Sequence, residues 1–118
     1  MKRFAALLFA LLVFSVATVL EAKGNAEKGQ ARAAQKNGGQ QACAECHGAN
    51  GDKPTEPDRP ILASQYPDYL VKALSDYKSG KRKNAVMNAV AAELSKQDME
   101  DLAAWFSSQK SEKLHFQR

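Results

Sequence analysis

Apolar residues are distributed along this chain in two different ways. From Phe4 to Leu20 they form a run broken only by Ser15 and Thr18, and Lys2 and Arg3 stand before it. A positive flank followed by an apolar core is the pattern of a secretory leader. Ala22 suits the last position before a cleavage site, although Leu20 is large for its place, and Ser15-Val16-Ala17 offers an earlier cut. The run also lies at the short end of a membrane span. It lacks a basic stop-transfer flank, which favours cleavage. The expected organisation is a signal peptide over 1–22 and one domain over 23–118, with membrane contact only if the leader is retained.

After the leader the apolar positions become periodic. Asn25 is placed to cap a first helix reaching roughly Lys36, where Asn37-Gly38-Gly39 stops it, and its thin apolar face is Ala26, Gly29 and Ala33. Residues 38–65 carry too many glycines and prolines for regular structure and read as a loop. A structureless loop of that length needs an organiser, and a bound cofactor would serve. A second helix is predicted from Pro67 to about Ser79, before Gly80, with Leu70, Leu74 and Tyr77 in one stripe and Tyr69 and Ala73 widening it. A third begins at Ser95, which with Asp98 resembles a capping box, and Met99, Leu102, Ala103 and Phe106 form its apolar face, broadened by Trp105. No segment alternates with period two, so the domain reads as all-α, and no internal repeat divides it.

Charge and size narrow the function classes. A formal net charge of +4 is too weak for a duplex-binding stripe and fits docking onto acidic protein surfaces, so no nucleic-acid partner is expected. A domain this short commonly draws stability from a disulfide, metal or cofactor, and export would allow its two cysteines to pair.

The chemistry is concentrated in Cys43-Ala44-Glu45-Cys46-His47. In this Cys-x-x-Cys-His pattern the two thiols are spaced to add to the two vinyl groups of haem, and the adjacent histidine reaches the iron as proximal ligand. A thioredoxin-like dithiol would need a βαβ setting and a helix starting at the first cysteine, and the sequence reads with neither. A structural zinc site would need four ligands, but the chain has two cysteines and two histidines, and His115 lies in a charged tail. A bare disulfide across three residues would restrain little chain and leave His47 unexplained. One covalent haem c, through Cys43 and Cys46 with iron on His47, is the expectation.

Haem iron wants a further ligand. Met99 belongs to the apolar face of the last helix, and His115 sits near the terminus. Met87 follows the polar stretch from Lys81 to Val86, and with haem implied and a second ligand wanted it is the favoured distal ligand over core filler.

The ordered series of motifs resembles a class I cytochrome c, of the small bacterial monohaem type that also occurs as single repeats of dihaem periplasmic cytochromes. Gly24 to Gly29 is similar to the family's opening helix, and Cys43 to Gly48 with Gly51 to its haem motif. Pro60 to Gln65, Tyr69-Leu70, Leu74, Tyr77 to Gly80 and Arg82 follow its middle section, and Met87, Leu94-Ser95, Asp98 and Leu102 to Phe106 its distal region and last helix. The resemblance implies a cytochrome c fold of about three to five helices around one haem. It implies that the Pro60 carbonyl accepts from His47 Nδ1–H, that Leu62 packs on the porphyrin, and that Gly29 lets the first helix cross the last against Trp105 or Phe106. Residues 35–41 read as an insertion relative to the family.

The function these features imply is periplasmic one-electron transport through a His47/Met87-ligated haem, without catalysis and without a small-molecule substrate. Lys78, Lys81, Arg82 and Lys83 would steer acidic redox partners, or simply be basic residues favourable at a helix C-terminus. A gas-binding or sensory haem protein, or the haem subunit of a larger redox enzyme, are the alternatives.

Overall fold

The computed structural model describes residues 23–113. The leader and His115 lie outside the described residues, as does the end of the proposed domain. Five helices follow in order: α1 Ala26–Ala33, α2 Cys43–His47, α3 Pro67–Ser79, α4 Ala85–Ala92 and α5 Lys96–Ser108. Among the described residues there is no strand, only an isolated bridge between Asn37 and Gln40. No helix among them is long and apolar enough to cross a membrane.

The helix ends follow from local chemistry. Pro67 opens α3 and Gly80, with φ +81°, closes it in the left-handed conformation. Ser95 and Asp98 form the full capping box of α5, Asp98 N–H donating to Ser95 Oγ at 3.0 Å and Ser95 N–H to Asp98 Oδ2 at 2.9 Å. Burial works against the Asp98 carboxylate, but the Ser95 donors and the Arg32 charge outweigh it and hold its carboxyl below the ordinary range. Asn25 caps α1 by accepting from Lys28 N–H at 2.9 Å.

Three sequence expectations change. Helix α1 stops at Ala33 instead of Lys36, because Asn37 turns inward, 1% exposed, and exchanges backbone hydrogen bonds with Gln40. The 38–65 segment contains α2 and is not organised by a cofactor alone. The Gly51 carbonyl accepts from Leu62 N–H at 2.8 Å and Ala63 N–H at 3.1 Å, and Ser64 N–H donates to the Phe106 carbonyl at 3.1 Å. The third change is α4, a helix where the sequence read a polar stretch and a ligand loop. Asn84 starts it, its side chain accepting from Met87 N–H at 3.0 Å.

The core joins Ala33, Leu70, Leu94, Met99, Leu102, Ala103 and Phe106, so α1, α3 and α5 enclose it. Helices α1 and α5 cross with no room to spare. A Cβ on Gly29 would lie 1.9 Å from the Asp101 carbonyl oxygen and 2.8 Å from Trp105 Cβ. The crossing is fastened by Asn25 N–H donating to the Asp101 carboxylate at 2.8 Å, which also accepts from Gln97 at 2.9 Å. The burial of Asp101 has no signal in the sequence, because an acid amid Met99, Leu102 and Ala103 breaks no helical pattern. Gly29→Val is expected to cost about 3 kcal/mol or more, since backbone rather than a movable side chain blocks the new atoms. Denaturant unfolding of the holoprotein measures it.

Candidate functional site

Helix α2 is only five residues long, and its start is secured by a reciprocal contact. The Glu45 side chain reaches back to accept from Ala42 N–H at 2.6 Å, while Glu45 N–H donates to the Ala42 carbonyl at 3.1 Å. One helical turn places positions 43, 46 and 47 on the same face, and Cys43, Cys46 and His47 all line one cavity of about 560 Å³. That volume lies within the range of about 300–1,000 Å³ for ligand pockets. The helix that starts at the first cysteine is therefore present, against the sequence expectation. What separates the site from a dithiol catalyst is chemistry. Burial pushes the Cys43 thiol up, Arg32 opposing it only in part, whereas a redox-active cysteine needs a lowered value. Both thiols are free, and the Cys46 S–H donates to Gln41 Oε1 at 3.0 Å.

His47 is 6% exposed, and its Nδ1 lies 2.8 Å from the Pro60 carbonyl oxygen. A carbonyl only accepts, so Nδ1 carries the proton and the Nε2 lone pair is left for a metal. Burial lowers the imidazole's proton affinity, the Pro60 bond works the other way, and the nearby Arg59 charge lowers it further. The ring is thus neutral and held in one orientation, the state in which an imidazole can serve as a metal ligand.

The other expected residues converge on the same space. Pro60, Leu62 and Met87 line the cavity, Met87 from the first turn of α4. Leu62 also packs against the core. Met99, by contrast, is 4% exposed within the core cluster and is not among the lining residues. Met99→Leu is expected to leave the absorption spectrum unchanged and cost at most about 1.5 kcal/mol, as a volume-conserving core swap. No cluster of three metal-ligating His, Cys, Asp or Glu side chains occurs among the described residues, so the zinc alternative finds no support there.

Of the four basic residues around Gly80, Arg82 lines the cavity. Its guanidinium donates to the Tyr69 hydroxyl at 3.2 Å and lies 4.9 Å over the Tyr77 ring. The Lys78 ammonium is spent inward, donating to the Leu94 carbonyl, while Lys81 and Lys83 are exposed. Gln41, Arg59 and Tyr69 also line the cavity, a role that sequence spacing does not assign to them. Tyr69 sits on the apolar stripe of α3 yet is 47% exposed, because that face of the helix borders the cavity rather than the core.

An apolar cavity with two free thiols, an adjacent neutral imidazole and a thioether fits a covalently held iron porphyrin on chemical grounds. The comparisons agree. The Cytochrome c family profile matches residues 26–110. A cytochrome c4 of Pseudomonas aeruginosa is 42% identical over 100 residues, 85% of this chain and 46% of that protein. The reduced cytochrome c4 of Pseudomonas stutzeri, solved by crystallography, superposes with a TM-score of 0.64 at 40% identity, over 75% of this chain and 47% of that one. A thiosulfate dehydrogenase of Marichromatium purpuratum superposes with a TM-score of 0.67 at 30% identity, over 76% of this chain and 20% of that one. The chain spans about half the length of the curated relatives it matches first.

Proposed function

The chain belongs to the cytochrome c family, and from that premise we propose that it is an exported carrier of single electrons, with His47 and Met87 as the two protein ligands of its iron. Haem c is bound covalently through Cys43 and Cys46, one group for the one Cys-x-x-Cys-His motif. When bound, the group supplies the ferric/ferrous couple. The observation that carries the reading is the convergence of Cys43, Cys46 and His47 from α2 with Met87 from α4 on one cavity.

The chain's own residues account for the rest. The Pro60 carbonyl fixes the tautomer and plane of His47. Leu62, Leu70, Leu102 and Phe106 keep water from the cavity, which disfavours the extra ferric charge and, with a thioether ligand, raises the potential. The rigid mounting of both ligands on helices keeps reorganisation small. Arg82 at the cavity, with exposed Lys81 and Lys83 beside it, gives the face that would meet acidic redox partners. Such steering weakens as salt rises.

Export to the periplasm rests on the 1–22 leader pattern. Mass spectrometry of the periplasmic fraction should find a product that starts at or near Lys23, and an intact Met1 in the membrane fraction would replace the leader reading with an anchor. A second reading has a specific observation behind it. The likeness to a thiosulfate dehydrogenase chain of which this domain covers 20% supports service as the haem domain of a larger redox assembly. The carrier reading is tested by a pyridine haemochrome assay with carbon monoxide. Covalent haem c that binds no carbon monoxide when reduced is expected, and ready binding would favour a gas-binding or sensory protein.

A further inference from the structure

Helix α4, which carries Met87, is tied to α3 at both ends. At its C-terminal end the Lys78 ammonium donates to the Leu94 carbonyl. At its N-terminal end the link is the side-chain amide of Asn88. Its Nδ2 donates to the Tyr77 carbonyl at 2.7 Å and to the Arg82 carbonyl at 2.8 Å. Its Oδ1 accepts from Asn84 N–H at 2.8 Å. Tyr77 lies in the last turn of α3, Arg82 in the connection, and Asn84 is the N-cap of α4. One half-buried amide thus joins three consecutive pieces of chain and uses three of its four hydrogen-bonding sites. Asn84, so held, accepts from the backbone N–H of Met87 itself at 3.0 Å.

We propose that Asn88 is the positioning residue for the distal methionine: its amide clamps the α3–α4 connection and thereby sets how readily Met87 leaves the iron. The proposal rests on Met87 being the ligand. The first turn of α4 has Asn84 and Asn88 but no apolar staple from the connection, since residues 81–84 are all polar and exposed. What holds this turn in register is therefore polar, and loss of the amide lets it open. The connection itself survives, because Arg82 N–H also donates to the Asp76 carbonyl at 3.0 Å. Removing Asn88 should then loosen the ligand without unfolding α3.

Two substitutions separate a clamp from a mere helix cap. Asn88→Ala removes all three bonds. Asn88→Asp keeps an acceptor for Asn84 N–H but sets a carboxylate against the Tyr77 and Arg82 carbonyls, with no donor for either. The holoproteins are compared with wild type and with Met87→Ala by two readouts: the Met–iron charge-transfer band of the ferric form against pH, and carbon monoxide binding to the ferrous form. Both Asn88 variants are expected to keep covalent haem and helix content. They should lose the band at a midpoint about one pH unit or more below wild type and bind carbon monoxide roughly tenfold faster or more, from the two lost donor bonds. Asn88→Asp should be at least as affected as Asn88→Ala, and it serves alone if the alanine variant does not accumulate. A wild-type midpoint in Asn88→Ala, or wild-type behaviour of Asn88→Asp, overturns the clamp. A wild-type protein that itself lacks the band and binds carbon monoxide like Met87→Ala overturns the ligand assignment instead.

Discussion

Cys43→Ser combined with Cys46→Ser is expected to yield a chain without covalent haem and without most of its fold. The reason lies in which residues share the cavity and the core. Leu70, Leu102, Ala103 and Phe106 belong to both, so a missing cofactor exposes one side of the apolar cluster that α3 and α5 form. Net stability of a domain is about 5–15 kcal/mol, and burial of a large aromatic or aliphatic side chain contributes about 1.5–3 kcal/mol. Solvating several such residues on one face removes a margin of that size. The ties that do not involve the cofactor include the α1–α5 crossing at Gly29 and Asp101, the Ser64–Phe106 backbone bond, and the caps at Asn25 and Ser95. Circular dichroism of the variant should show most helix lost, with partial α1–α5 pairing the last to go. Acid–acetone extraction should leave haem on the wild type and none on the variant. The single variants should each retain haem by one thioether, with a shifted haemochrome band.

Met87→Ala has the second-largest effect, and it falls on redox chemistry instead of folding. The side chain is half-buried, and α4 is held by Asn84, Asn88 and Lys78 without it, so the variant should fold with its haem attached. On the proposed ligation, loss of the thioether would remove the group that favours ferrous iron. If that preference is worth a factor of ten to a thousand, the potential falls by roughly 60–180 mV, at 59 mV per factor of ten for one electron. The ferric charge-transfer band disappears, and the ferrous form binds carbon monoxide. Met99→Leu under the same conditions leaves all three readouts in place.

How much of this was legible depends on which forces were local. Helix α3 was bounded correctly because Pro67 and Gly80 act on their own backbone, and α5 because Ser95 and Asp98 complete each other's bonds within one turn. Helix α1 ended early for a tertiary reason, the burial of Asn37. Helix α2 was hidden because glycines and prolines around it signal a loop, and its own stabiliser is a single reach of Glu45 to Ala42. Helix α4 was hidden because Ala85 to Ala92 is apolar on nearly all sides and shows no stripe, although Asn84 before it was a cap signal. For the site, sequence spacing was sufficient to nominate Cys43, Cys46 and His47, whereas Pro60 and Leu62 came from family resemblance. Asn88 and Gln41 carried no signal, since each acts through bonds to backbone or thiol atoms that only the folded chain brings near.

The most direct test of one-electron carriage by a His47/Met87-ligated haem is a spectroelectrochemical titration of the purified holoprotein, following the haem bands and the ferric Met–iron band together. The account predicts a single reversible one-electron wave in which both signals change at the same potential, with no change on adding carbon monoxide to the reduced form. A two-electron wave, or a ferric form lacking the Met–iron band whose reduced form takes up carbon monoxide, would contradict it.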